Sequence, residues 1–126
     1  QGRFYSCAFD KVRMAAVMRY VEWNPVRAGM VRAPEDYTWS SAVMHLGGSD
    51  RVKLLALEEW KRDWSAAAWA QFLREGAEES VAIREATHTG RPLGSEAFVA
   101  RLEEQLQCRI APGKSGRPRK EQAVAA

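Results

Sequence analysis

The chain has 126 residues, 46 % of them apolar and 28 % charged, with five Trp; that is the length of one domain with a modest core, and it excludes a disordered polar segment. No run approaches the roughly 18 apolar residues of a membrane span, and Gln1-Gly-Arg-Phe-Tyr5 lacks the basic-then-apolar layout of a secretory signal, so a cytoplasmic protein with no membrane partner is expected. The formal charge of +3 conceals a gradient: residues 41–87 hold six basic and eight acidic groups, whereas Arg109, Lys114, Arg117, Arg119 and Lys120 share an acid-free stretch, a composition suited to phosphate or to solvent.

Arg3 to Phe9 reads as a strand or extended segment that begins in mid-pattern, which suggests a fragment of a longer protein. Asp10 suits an N-cap, and Met14, Val17, Met18 and Val21 follow at i, i+3, i+4 and i+7, the apolar stripe of an amphipathic helix. That helix is expected to end near Asn24, because proline disfavours the α conformation in the residue before it; Asn24 then caps a short helix starting at Pro25 and closed by Gly29. Pro34 to Tyr37 predicts a turn, Trp39 a buried side chain, and Ser40 or Ser41 the cap of a short helix reaching Gly47-Gly48.

Leu54, Leu55, Leu57, Trp60, Trp64, Ala68, Trp69, Phe72 and Leu73 keep helical spacing up to Gly76, and the Trp residues at that spacing read as core. Glu78 to Thr87 predicts a further helix. Gly90-Arg-Pro-Leu-Gly94 interrupts, and Ser95-Glu96 opens an amphipathic helix built on Phe98, Leu102 and Leu106. Beyond Ile110 the composition cannot bury a core and predicts disorder without a partner. Cys7 and Cys108 lie far apart outside any Cys/His cluster, which gives two reduced thiols rather than a disulfide or zinc site.

The segment Tyr20-Val-Glu-Trp-Asn-Pro-Val-Arg-Ala-Gly-Met-Val31 sets Tyr20 and Asn24 one helical turn apart at a helix end, with Tyr20 off the apolar stripe. A packing tyrosine and a capping asparagine explain this pattern; a nucleophilic phenol beside an amide oxygen suited to a hard divalent ion explains it as well. Together with Gly2-Arg-Phe-Tyr-Ser6, Pro34-Glu-Asp-Tyr-Thr-Trp-Ser-Ser41 and Thr89-Gly-Arg-Pro-Leu-Gly-Ser95, in this order, it resembles the REP-associated tyrosine transposases of the HUH single-strand superfamily, over nearly the whole chain.

The resemblance implies that Tyr20 attacks a phosphodiester of single-stranded or hairpin repeat DNA to give a 5′-phosphotyrosine, and that Asn24 is a third ligand to Mg²⁺ or Mn²⁺. It also implies a His-hydrophobic-His metal motif upstream of Gln1, within a ferredoxin-like α+β domain. The fold expected here is accordingly mainly α: residues 1–48 as the C-terminal part of a catalytic domain, 49–110 as a helical DNA-binding region and 111–126 as a basic tail. His45 and His88 each lack a second histidine two residues away and are assigned to surface or turn roles, so this chain alone is expected to hold no metal tightly and to be inactive.

Gly-Arg-Pro occurs at 90–92 and 116–118, short extended segments of the kind that place an arginine in a minor groove. Arg91 next to the following helix N-terminus, and Arg117, Arg119 and Lys120 in the tail, are the candidate DNA contacts; solvated turns and a solvated terminus are the plainer explanation of the same residues. Two alternatives stay open: a non-catalytic DNA-binding protein or decayed transposase remnant, and a helical interaction module whose aromatic residues simply pack. Dimerisation is left open by the sequence.

Overall fold

Among the described residues, 6–50, 53–75 and 80–111 of a computed structural model, the chain is mainly α-helical and the only β-pairing is an isolated parallel bridge between Phe9 and Leu93. A 3-10 turn at Lys11–Arg13 leads into α1 (Met14–Glu22); α2 (Asn24–Arg27), a second 3-10 turn (Pro34–Asp36), α3 (Ala42–His45), α4 (Leu57–Asp63), α5 (Ala66–Arg74), α6 (Ser80–Thr89) and α7 (Glu96–Leu106) follow. None of these helices is long and apolar enough to cross a membrane. The tail cations Lys114, Arg117, Arg119 and Lys120, the strand expected from Arg3, and Gly76 lie wholly or partly outside the described residues.

Asp10 acts as expected at the start of α1 and does a second job. One carboxylate oxygen accepts from the Arg13 N–H at 3.2 Å and the other from the Ser95 N–H at 3.0 Å, so a single acid ties the entry to α1 to the entry to α7. Backbone bonds from Leu93 N to Ala8 O at 2.8 Å and from Asp10 N to Leu93 O at 3.1 Å fasten the Gly-Arg-Pro turn to the N-terminal segment. Gly94 is required there, since a Cβ would stand 2.4 Å from the Phe98 ring and 2.9 Å from the Asp10 carboxylate.

The chain breaks at Trp23, close to the expected point, and Pro25 occupies the first turn of α2. Asn24 does not cap that helix, however, because its side-chain oxygen is bonded elsewhere. Gly29 closes α2 at φ +69°, the left-handed conformation that a helix end favours in glycine.

Three sequence expectations are corrected by the packing. The apolar stripe of α1 is not its buried side: Met14 and Val21 are 45 % and 54 % exposed, whereas Arg19 and Glu22 are buried. These two face α5 because they satisfy polar groups that would otherwise be buried there without partners. The Arg19 guanidinium donates to the carbonyls of Phe72 (3.0 Å) and Glu75 (2.7 Å), the open end of α5, and lies 4.0 Å from the Phe72 ring centre. Trp23 adds an indole N–H to Leu73 O at 2.9 Å.

Second, the helical spacing from Leu54 to Leu73 is two helices, not one. Trp64 is extended (φ −135°, ψ 140°) and Ser65 caps α5 by accepting from the Ala68 N–H at 3.1 Å. The bend folds the aromatic residues onto each other, with Trp64 edge-on to Trp69 at 4.9 Å. Third, Trp39 is 86 % exposed; Pro34 is buried in its neighbourhood instead, and Trp39 sits in a turn closed by Ser40 N to Tyr37 O at 3.0 Å.

Candidate functional site

At the core lies a carboxylate. Glu22 is 1 % exposed, and its Oε1 accepts from Ser41 Oγ and from His45 Nδ1, both at 2.6 Å, while Oε2 accepts from Trp69 Nε1 at 2.9 Å. With Glu22 ionised, His45 carries its proton on Nδ1. His45 also stacks on Trp60 at 4.7 Å with the rings 14° apart, and meets Trp69 edge-on at 5.7 Å. The surface role assigned to His45 is therefore corrected: it is buried at the end of α3, where its nitrogen meets an acid that needs donors. His88, by contrast, is exposed on α6. The quartet Glu22, Ser41, His45 and Trp69 joins α1, α3 and α5 and positions the outer face of α1.

That outer face carries the residues singled out in the sequence. Tyr20 is half-buried near the end of α1, and Asn24 is exposed at the start of α2. Because the break at Trp23 keeps helical dihedrals (φ −81°, ψ −8°), the two helices run on with little change of face and residues 20, 24 and 27 stay together. Arg27 completes the group. Its Nη2 donates to Asn24 Oδ1 and to the Tyr20 carbonyl, each at 2.5 Å, and its guanidinium carbon lies 4.1 Å from the Tyr20 ring centre.

Sequence reasoning brought Tyr20 and Asn24 together and missed Arg27, although its spacing of i+7 from Tyr20 and i+3 from Asn24 was there to be read. It missed Glu22 for a different reason: a polar residue between apolar ones signals solvent unless its donors are known, whereas Trp69 is buried in the core as its spacing predicts.

A divalent ion does not fit the described residues. The Asn24 oxygen that would ligate it is taken by a guanidinium, and no group of three His, Cys, Asp or Glu among the described residues could supply a ligand set. Arg27 already places a positive charge on the same spot.

Arg91 stands apart from this cluster. Its side chain is exposed, and its carbonyl accepts from the half-buried Cys7 thiol at 3.1 Å. Burial pushes that thiol up from its ordinary value, against a smaller lowering by the Leu93 backbone. At the adjoining start of α7, Ser95 Oγ accepts from the Phe98 N–H at 3.2 Å and the Asp10 carboxylate accepts from the Ser95 N–H at 3.0 Å.

Comparison with protein-family models, with curated proteins and with solved structures finds no match to this chain.

Proposed function

We propose that this chain is the C-terminal part of a tyrosine transposase that cuts and rejoins single-stranded or hairpin DNA, with Tyr20 as nucleophile. The observation that carries the reading is the convergence of Tyr20, Asn24 and Arg27 on one accessible helix face, a phenol with a fixed cation beside it. The ordered resemblance of four segments supports it. In this reading the described helices complete a ferredoxin-like α+β domain, and the Mg²⁺ or Mn²⁺ belongs to the complete protein.

In the reaction, Tyr20 Oη attacks the phosphorus, a P–O bond to tyrosine forms and the P–O3′ bond breaks. The phenol proton leaves to water and the departing 3′ oxygen takes a proton from water, giving a 5′-phosphotyrosine and a free 3′-hydroxyl. Reversal on another 3′-hydroxyl rejoins the strand. A phenol with an ordinary pKa of about 10 is a weak nucleophile near neutral pH, and charge accumulates on the non-bridging phosphate oxygens. Arg27 is the group placed to offset that charge, its planar donors being matched to phosphate.

A second reading has an observation of its own. The bond from Arg27 to Asn24 Oδ1 favours a protein that holds a DNA phosphate on this face and does not cleave it. Covalent capture of labelled DNA separates the two: a protein adduct lost in Tyr20→Phe supports the nucleophile, and binding with no adduct supports the non-catalytic form.

A further inference from the structure

Beside the Tyr20 cluster is a recess of about 390 Å³, within the roughly 300–1,000 Å³ typical of small-ligand pockets. Asn24 forms one wall, so this recess and the Arg27 guanidinium share a residue. Its other walls include Val21, Pro25, Met30, Tyr37 and Trp39. Three of these are apolar side chains held in water, Val21 at 54 %, Met30 at 60 % and Trp39 at 86 % exposure, although the fold buries the Trp69 indole fully. Such a patch beside a polar cluster marks a contact surface.

We propose that this recess is the subsite for one unstacked nucleobase of a single-stranded DNA, lying against Trp39. The proposal rests on the phosphodiester reading above and adds to it where the neighbouring base goes. Charge decides between a base and a phosphate. No charged residue lines the recess, and the acids Glu35 and Asp36 stand at the start of the turn that presents Tyr37 and Trp39, which disfavours a phosphate there. The cation stands outside the recess, at Arg27, bonded to the Asn24 side chain that lines it. A strand whose phosphate lies on Arg27 thus meets an uncharged aromatic shelf next to it, the pairing of basic groove and stacking platform that single-stranded nucleic acids need.

Ser40 adds a hydroxyl at the rim, where its Oγ accepts from Ala42 N at 3.1 Å and keeps its own proton for a base edge. Every base has a π face, so recognition here tolerates sequence.

The test is fluorescence anisotropy with a labelled short oligothymidylate and a matched oligonucleotide carrying abasic sites, the two having the same phosphate charge. The expected result is tighter binding of the thymidine strand by about five- to 150-fold, the range for one stacked base, a preference erased in Trp39→Ala and largely kept in Trp39→Phe. Equal binding of the two strands overturns the subsite, as does a preference that survives Trp39→Ala, or no binding of either strand. A wild-type dimer in sedimentation that Trp39→Ala dissociates would show a second copy on this face and also overturn it. Helical circular dichroism controls for folding, and Trp39 is exposed enough that truncation leaves the core intact. If a Tyr20 adduct forms equally well on both strands, the subsite fails while the phosphodiester reading stands.

Discussion

Removing the Glu22 carboxylate should be among the most damaging single changes in this chain. In Glu22→Ala three donors, Ser41 Oγ, His45 Nδ1 and Trp69 Nε1, lose their acceptor inside the core. Each buried donor left without a partner costs about 1–3 kcal/mol. The three share one site and relax together, so the losses do not simply add; about 3–5 kcal/mol is expected, the range for removing one member of a buried pair. A domain of this size has about 5–15 kcal/mol in total, which puts the variant near its folding threshold.

Urea unfolding followed by tryptophan fluorescence is a suitable assay, because Trp60, Trp64 and Trp69 surround the network. With a slope of about 2 kcal/mol/M the midpoint should fall by about 2 M. Glu22→Gln should lose less, since it keeps one acceptor oxygen and His45 can change tautomer to accept from the amide. The exposed pair Glu58–Lys61 provides the control, and Glu58→Ala should leave the midpoint in place. A midpoint for Glu22→Ala within about 0.3 M of wild type, at unchanged slope, would refute a carboxylate-centred core.

Arg19→Met should destabilise by about 2–3 kcal/mol by stripping the end of α5 of its charged donor, seen in the same unfolding assay. Gly94→Ala should cost about 1–3 kcal/mol through the clash with Phe98, whereas Gly29→Ala, whose Cβ meets nothing within 4 Å, should cost only the left-handed backbone penalty of about 1 kcal/mol. Glu103 accepts from the N–H groups of Ala111 (2.8 Å) and Ile110 (2.7 Å), and these, more than the Arg109 charge, hold its carboxyl below the ordinary value. A carboxyl lowered in the folded state stabilises it at pH above the usual glutamate range and loses that contribution as pH falls through the folded value. The amide shifts of Ile110 and Ala111 should therefore move in acid, below about pH 4.3, and stay still in Glu103→Gln.

The helices at the two ends were legible because their signals are local: Asp10 and Ser95 have the capping chemistry that starts a helix, and Pro25 and Gly29 bracket α2. Trp39, His45 and Glu22 were not, since burial depends on which face meets α5 and no period in α1 announces that an acid and an arginine do. The break at Trp64 escaped for a related reason, the apolar spacing continuing through it unchanged while Ser65 offered the only sign of a new start. At the candidate site the Tyr20–Asn24 pair was a matter of spacing, but the Arg27 bond depends on α1 and α2 sharing a direction across Trp23.

The most direct test of the Tyr20 chemistry is covalent capture. A single-stranded hairpin labelled at its 3′ end, so that a 5′-phosphotyrosine retains the label, is incubated with Mn²⁺ and a protein extended upstream of Gln1 to whatever His-hydrophobic-His motif its reading frame encodes, then run on a denaturing gel. A labelled protein band that disappears in Tyr20→Phe and weakens in Arg27→Ala is the expected result. A band that persists in Tyr20→Phe, or hairpin bound with no band at all, would contradict Tyr20 as the nucleophile.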